Sequence, residues 1–218
     1  MDKREFISKR IAQEFKDGDV VNLGIGMPTM VANYVSKDIN ITLQSENGIL
    51  GLGPNPKQEE LDKDVTDSGG KPITVTAGAS FFDSAYSFAL IRGGHVDITV
   101  LGALEVDEDG NLANWMVPGK KVPGMGGAMD LVVGAKRVIL AMEHMNKNGE
   151  SKVVKRCKLP LTASKEVNTI ITDMAVIEVI QGKGLLLKEI APGLNVEDVR
   201  NATEAELIIS SDLKVMEV

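Results

Sequence analysis

Three stretches of this sequence carry residue types able to do chemistry. In Gln44-Ser45-Glu46-Asn47-Gly48 a carboxylate stands at the end of an alternating segment and directly before an Asn-Gly turn. Residues 39 to 44 place Ile39, Ile41 and Leu43 on one face and Asn40, Thr42 and Gln44 on the other, which predicts a strand. Such a strand delivers Glu46 to the carboxyl edge of a sheet, where open α/β sheets bind ligands. By position alone Glu46 is more simply a solvated loop charge, because most loop carboxylates do no chemistry. The second stretch, Val122 to Asp130, gathers Gly124, Gly126 and Gly127 ahead of a predicted helix. Free N–H groups at that terminus can receive an oxyanion or a phosphate, although loop flexibility or close packing explains the glycines equally simply. In the third, Gly24-Ile25-Gly26-Met27-Pro28, the last glycine of a dinucleotide fingerprint is missing, and a nicotinamide-binding loop is rejected.

Composition narrows the chemistry further. The 218 residues carry 24 Lys and Arg against 31 Asp and Glu, a net charge of −7 that disfavours nucleic acid and anionic lipid as partners. Cys157 is the single cysteine and His95 and His144 the only histidines, so neither an intrachain disulfide nor a Cys/His zinc site can form. No apolar run follows the charged N-terminal residues and none reaches membrane-spanning length, so the expectation is a soluble, cytoplasmic protein.

The elements that must position these residues follow from periodicity. Ile7, Ile11 and Phe15 predict an amphipathic helix over residues 3 to 16, and Val20 to Leu23 a short strand. Pro28 suits the first turn of a helix running to Val35. Residues 53 to 72 read as an irregular surface excursion, and 81 to 91 as a helix stopped by Gly93-Gly94. Strands are expected over 96–101 and 138–142, a helix over 128–134, and hairpins around 107–111 and 182–184. Thr203-Glu204-Ala205-Glu206 has capping-box spacing, but it precedes strand-like residues and carries little weight. Alternating strands and helices predict an α/β fold: a single domain over residues 1–218, with a mixed, largely parallel sheet and flanking helices.

Longer blocks are more specific. Leu43 to Pro54, the block containing Ser45-Glu46-Asn47-Gly48, closely resembles the glutamate signature of family I coenzyme A transferases, the 3-oxoacid and acetate/butyrate–acetoacetate type. Ile91 to Asp97, Ala113 to Lys120, Gly124 to Leu131 and Cys157 to Thr162 continue the resemblance in the family's order. It implies a fold shared with certain sugar-phosphate isomerases, with this chain as the glutamate-bearing β subunit. The implied partner is an α subunit in a hetero-oligomer, α2β2 or larger. Coenzyme A enters as a substrate, with no permanently bound cofactor.

Under this resemblance Glu46 matches the catalytic glutamate, and Gly126 and Gly127 match the segment that donates backbone N–H groups to the oxyanion. Asn47 and Gly26 are further candidates for substrate binding, and Lys71 and Lys120 for coenzyme A. Two residues depart from the family pattern. Asn55 stands where many 3-oxoacid members have an aromatic, and Lys71 is offset by one, so the acyl preference is left open. A carboxylate with a reference pKa of about 4.3 needs no general base, which suits ping-pong transfer through acyl-anhydride and glutamyl-thioester intermediates. The same groups would serve a thioester hydrolase, and a non-catalytic acyl-CoA-binding subunit is the third class. Cys157, His144 and Trp115 are assigned structural roles. Lys120 and Lys121 are readable as phosphate contacts or as solvated surface.

Overall fold

A computed structural model describes residues 1–119, 122 and 124–218. The alternating apolar runs form a ten-stranded mixed sheet in the order β13-β12-β11-β10-β8-β5-β1-β2-β3-β4. Its centre is parallel: β1 (Val20–Leu23), β2 (Thr42–Ser45), β5 (Ile98–Leu101), β8 (Arg137–Ala141) and β10 (Thr169–Ile171). Antiparallel strands extend both sides: β3 (Ile49–Leu52) and β4 (Val75–Phe81) beyond β2, β11 (Ala175–Ile180) and β12 (Gly184–Ile190) beyond β10. The edge strand β13 (Leu207–Val215) returns parallel to β12. A second sheet holds β7 (Leu112–Ala113), β6 (Glu105–Asp107) and β9 (Val153–Val154).

The central strands are buried on both faces, as parallel strands flanked by helices must be. Along β8, Val138 and Leu140 enter one core while Ile139 and Ala141 enter the other. The first core is covered by α2 (Ser84–Arg92), α3 (Ala128–Gly134) and α4 (Val196–Asn201), through Ile91, Leu131, Val132 and Val199. The second lies under α1 (Lys3–Ala12) and a 3-10 helix, Met27–Tyr34, through Ile7, Ile11 and Val31. Arg10 of α1 closes that side. Its Nε and Nη2 donate to Glu189 at 2.8 and 2.7 Å and its Nη1 to Glu14 at 2.7 Å.

Several expected boundaries move. The first helix ends at Ala12, not residue 16, because Lys16 N–H turns to Asp19 and Gly18, at φ +86°, donates to the Asn40 carbonyl. Phe15 nevertheless stays in the core. The helix expected from Pro28 is a 3-10 helix. Strands β3 and β4 were not expected: Gly51 (φ +99°) puts a bulge between Leu50 and Leu52, and β4 is an exposed edge strand of small residues without alternation. Phe81 therefore ends a strand, and Asp83 caps α2 by accepting from Tyr86 N–H at 2.8 Å. The unexpected α4 has a capping box of Asn195 and Asp198, while no helix starts at Thr203. Among the described residues no helix is long and apolar enough to cross a membrane.

Candidate active site

In the parallel centre the chain runs from β1 outward to β2, then continues on the other side of β1 through β5, β8 and β10. This reversal leaves a crevice at the carboxyl ends of β1 and β5, where open sheets accept ligands. Glu46 is the first residue after β2, on the same edge. The turn beneath it is closely built. Gly48 N–H donates to the Ser45 carbonyl at 3.0 Å, and Phe82 N–H donates to the Gly48 carbonyl at 2.9 Å. Gly48 has φ +116°, and a Cβ there would overlap the Phe82 carbonyl oxygen, so both conformation and space require glycine. Asn47 Nδ2 donates to the Thr66 carbonyl at 2.8 Å, and Ser68 N–H to Ser45 Oγ at 3.1 Å. These two bonds draw the 53–72 excursion against the glutamate turn.

Opposite stands the glycine segment. Gly127 is the N-cap of α3, with φ −83° and ψ 4°. A Cβ on it would stand 3.3 Å from Glu46 Cγ and 3.4 Å from Glu46 Cδ, so Gly127 faces the carboxylate directly. Gly126, at φ +54°, has nothing within 4 Å of that same position. Among the described residues neither amide donates to a carbonyl, and both border the crevice.

A cavity of about 610 Å³ opens there, lined by Gly24, Glu46, Gly102, Trp115, Gly126 and Gly127 among others. A second cavity of about 280 Å³ lies between β2, the 3-10 helix and the excursion, lined by Gly26, Asn33, Ser45, Asn55 and Lys71. Ile25 and Ser68 border both, so the two cavities adjoin, and Glu46 lines the larger. A carboxylate beside a glycine segment at the edge of a cavity can form and release acyl bonds by addition to a carbonyl carbon.

Residues 4–202 match the family described as Coenzyme A transferase. The chain belongs to that family. This transferase chain is 56% identical over 218 residues to the beta chain of the acetate CoA-transferase of Haemophilus influenzae, covering 100% of itself and 97% of that protein. It is 54% identical over 210 residues to one subunit of a probable succinyl-CoA:3-ketoacid coenzyme A transferase of Bacillus subtilis, covering 96% of itself and 97% of the relative. Its fold resembles the acyl-CoA transferase YdiF apoenzyme of Escherichia coli O157:H7, with a TM-score of 0.79 at 22% identity. The match covers 99% of this chain and 43% of YdiF, so the transferase chain spans less than half of that longer protein.

The expected site residues divide between the cavities. Glu46, Gly126 and Gly127 line the larger one, Gly26 and Lys71 the smaller one, and Asn47 supports the turn. Lys120 and Lys121 lie outside the described residues. Trp115, expected to be core or interface, lines the larger cavity, held there by an Nε1–H bond to the Leu161 carbonyl at 3.2 Å. Ser68 and Gly102 also border it without any motif that announces them.

His144 and Cys157 are among the residues lining neither cavity. His144 is fully buried, its ring nitrogens 3.0 Å from Thr172 Oγ1 and 2.9 Å from Thr203 Oγ1. Because the Thr203 hydroxyl donates to the Val199 carbonyl at 2.6 Å, the network assigns the ring proton to Nε2. Burial holds the ring neutral, with its pKa lowered to about 4. Burial, with Asp107 and Glu105 beside it, pushes the Cys157 thiol well above its ordinary range.

Proposed function

We propose that this chain is the catalytic subunit of an enzyme moving coenzyme A between short-chain carboxylic acids, with Glu46 as the covalent nucleophile. The observation that carries the reading is that Glu46 lines the larger cavity with Gly126 and Gly127, its Cγ and Cδ 3.3 and 3.4 Å from where a Gly127 Cβ would stand. A Glu46 carboxylate oxygen attacks the acyl-CoA carbonyl carbon, the C–S bond breaks, and the coenzyme A thiolate leaves an acyl–glutamyl anhydride. The thiolate then attacks Glu46 Cδ, forming a glutamyl thioester and releasing the first acid as its carboxylate. A second carboxylate attacks Cδ and expels the thiolate, which takes the new acyl group and frees Glu46. Electron pairs and atoms balance without an oxidant, a reductant or a metal-bound water.

Each addition makes a tetrahedral oxyanion, and the Gly126 and Gly127 amides supply its donors. One such donor contributes about 3 kcal/mol to the transition state. The two adjoining cavities support a division of the substrate, with the pantetheine arm in the larger and the acid in the smaller. At about 280 Å³ the smaller suits an acid of few carbons. The names of the relatives supply the candidate acids, acetate, succinate and 3-keto acids such as acetoacetate, with butyrate a further short acid. Their subunit designations support a partner α chain.

The test uses the chain assembled with its partner and incubated with acetoacetyl-CoA without an acceptor. Borohydride should then convert the Glu46 side chain to an alcohol, located by peptide mass analysis between Gln44 and Gly48. Acceptor acid added first should prevent the change. Glu46→Ala should abolish transfer while sparing assembly, and Glu46→Asp, which withdraws the carboxylate by about an ångström, should cost on the order of a hundredfold. Full-rate transfer with the segment unmodified and ternary-complex kinetics would refute the assignment. Release of free coenzyme A without any acceptor would mark a hydrolase.

A further inference from the structure

Behind Glu46 a row of polar side chains crosses the sheet where apolar residues would be expected. Gln44, Asn22 and Thr99 are neighbours in register on β2, β1 and β5, at 3%, 1% and 0% exposure. Asn22 Nδ2 donates to Gln44 Oε1 at 2.7 Å and to the Gln44 carbonyl at 3.2 Å. Gln44 Nε2 donates to Ser87 Oγ at 3.0 Å, and the Ser87 hydroxyl donates to the Ser45 carbonyl at 3.4 Å. That carbonyl belongs to the peptide joining Ser45 to Glu46. The row therefore ends on the backbone that carries the nucleophile.

Ser87 lies on α2, and the same helix reaches the other half of the site. Phe88, its neighbour, comes within 3.3 Å of where a Gly127 Cβ would stand. Arg92 Nε donates to Asp130 on α3 at 2.7 Å, and a Cβ on Gly134 would overlap the Ile91 carbonyl oxygen. Helix α2 thus touches the Glu46 turn at one point and the Gly127 helix at three.

We infer that α2 is the spacer fixing Glu46 relative to the Gly127 amide, and that Ser87, oriented by Gln44 and Asn22, is the positioning residue on the Glu46 side. The inference rests on Glu46 being the nucleophile. Buried polar groups carry a desolvation cost that an apolar row would avoid, so folding alone gives this row no advantage. Its terminal contact is the one place where it acts on the chemistry. Ser87→Ala removes the only hydroxyl reaching the Ser45 carbonyl from this row and strands Gln44 Nε2 in a dry environment.

The experiment compares Ser87→Ala with the double variant Gln44→Leu/Ser87→Ala, each assembled with the partner chain. Readouts are kcat, KM for acyl-CoA, the urea midpoint and the rate of borohydride trapping. Ser87→Ala should lower kcat and the trapping rate by about ten- to a hundredfold, with KM for acyl-CoA changed by less than about threefold. It should also lower the urea midpoint. The double variant leaves no stranded partner at Ser87, and Asn22 keeps its bond to the Gln44 carbonyl, so its midpoint should recover while kcat stays low. It also carries the comparison if Ser87→Ala fails to assemble.

Recovery of kcat together with the midpoint would overturn the inference, since the row would then serve folding only. Wild-type kcat in Ser87→Ala would overturn it too. Glu46→Ala in the same assembly keeps the two readings apart. An inactive Glu46→Ala beside fully active Ser87 variants removes only the positioning role, and an active Glu46→Ala removes the nucleophile assignment itself.

Discussion

Replacing Gly127 by alanine should separate activity from stability, and the structure sets both magnitudes. The residue has φ −83° and ψ 4°, a conformation alanine adopts without strain. A Gly→Ala change at a compatible site stabilises by about 0.4–1 kcal/mol through the unfolded chain. Against this, the new methyl would lie 3.3 Å from Glu46 Cγ, 3.4 Å from Glu46 Cδ and 3.3 Å from Phe88 Cζ. Carbon pairs are most comfortable at about 3.5–4.0 Å, so these groups must yield by a few tenths of an ångström. The two effects nearly cancel in stability, and the urea midpoint should stay close to wild type.

The glutamate, as the most flexible of those neighbours, takes most of the displacement. A misplacement of about 1 Å at a reacting atom costs roughly a hundredfold, so a few tenths should cost on the order of tenfold in kcat. Steady-state kinetics and urea unfolding on the assembled enzyme check both halves. Gly48→Ala is the contrast: it forces an alanine to φ +116° and into the Phe82 carbonyl, so stability and activity should fall together. Wild-type kcat in a folded Gly127→Ala enzyme would mean that Glu46 does not react from the position facing Gly127, and the site geometry argued above would fail.

Three further outcomes follow from other parts of the molecule. The His144 ring, with a folded pKa of about 4 against 6.5 in its ordinary state, binds its proton more weakly folded than unfolded, so stability is lost as pH falls from about 6.5 to 4. The loss amounts to about 3 kcal/mol, and His144→Gln should flatten that slope in urea midpoints measured across this window. Arg10→Met takes from Glu189 the cation that holds both its oxygens, while Glu14 keeps Arg137 at 2.6 Å, and thermal unfolding should report a loss of about 3 kcal/mol. Third, the isolated chain should have little activity: it spans less than half of the single-chain YdiF, and its charge of −7 opposes a polyanionic substrate. Full turnover by partner-free protein in an acyl-CoA transfer assay would contradict that.

Four of the five parallel central strands and the glutamate turn were legible because their signals are local; β10, three residues long, was not expected. Alternation over 39–44 announced the strand ending before Glu46, although the regular ladder begins at Thr42, and the hairpins around 107–111 and 182–184 announced themselves through their turns. Strands β3 and β4 were not legible. Their pairing depends on Gly51 approaching Thr76 and Ala79, a contact between residues 25 or more positions apart, and small exposed residues carry no period. The signal for α4 was present in Asn195 and Asp198, but six residues are too few for periodicity to register. The companions of Glu46 were hidden for a different reason. Ser68 reaches Ser45 from an irregular segment, and Trp115 enters the cavity after the second sheet, so only the fold brings them there.

A search guided by displaced pKa values would have gone elsewhere in this molecule. The groups pushed furthest from their ordinary range include His144 and Cys157, and both serve packing away from the two cavities. Strong perturbation marks functional sites where a reaction needs a proton held at an unusual affinity. Transfer through a glutamyl thioester needs none, because a carboxylate attacks as it is and the leaving thiolate returns as the next nucleophile. What such a transfer asks of the protein is distance: a carboxylate held in place, with water kept from an anhydride that would hydrolyse. The molecule's investment matches that demand. Gly48 locks the turn, the Asn22–Gln44–Ser87 row grips its backbone, and α2 spans from there to Gly127. Positional control, and not proton affinity, is what these residues have in common.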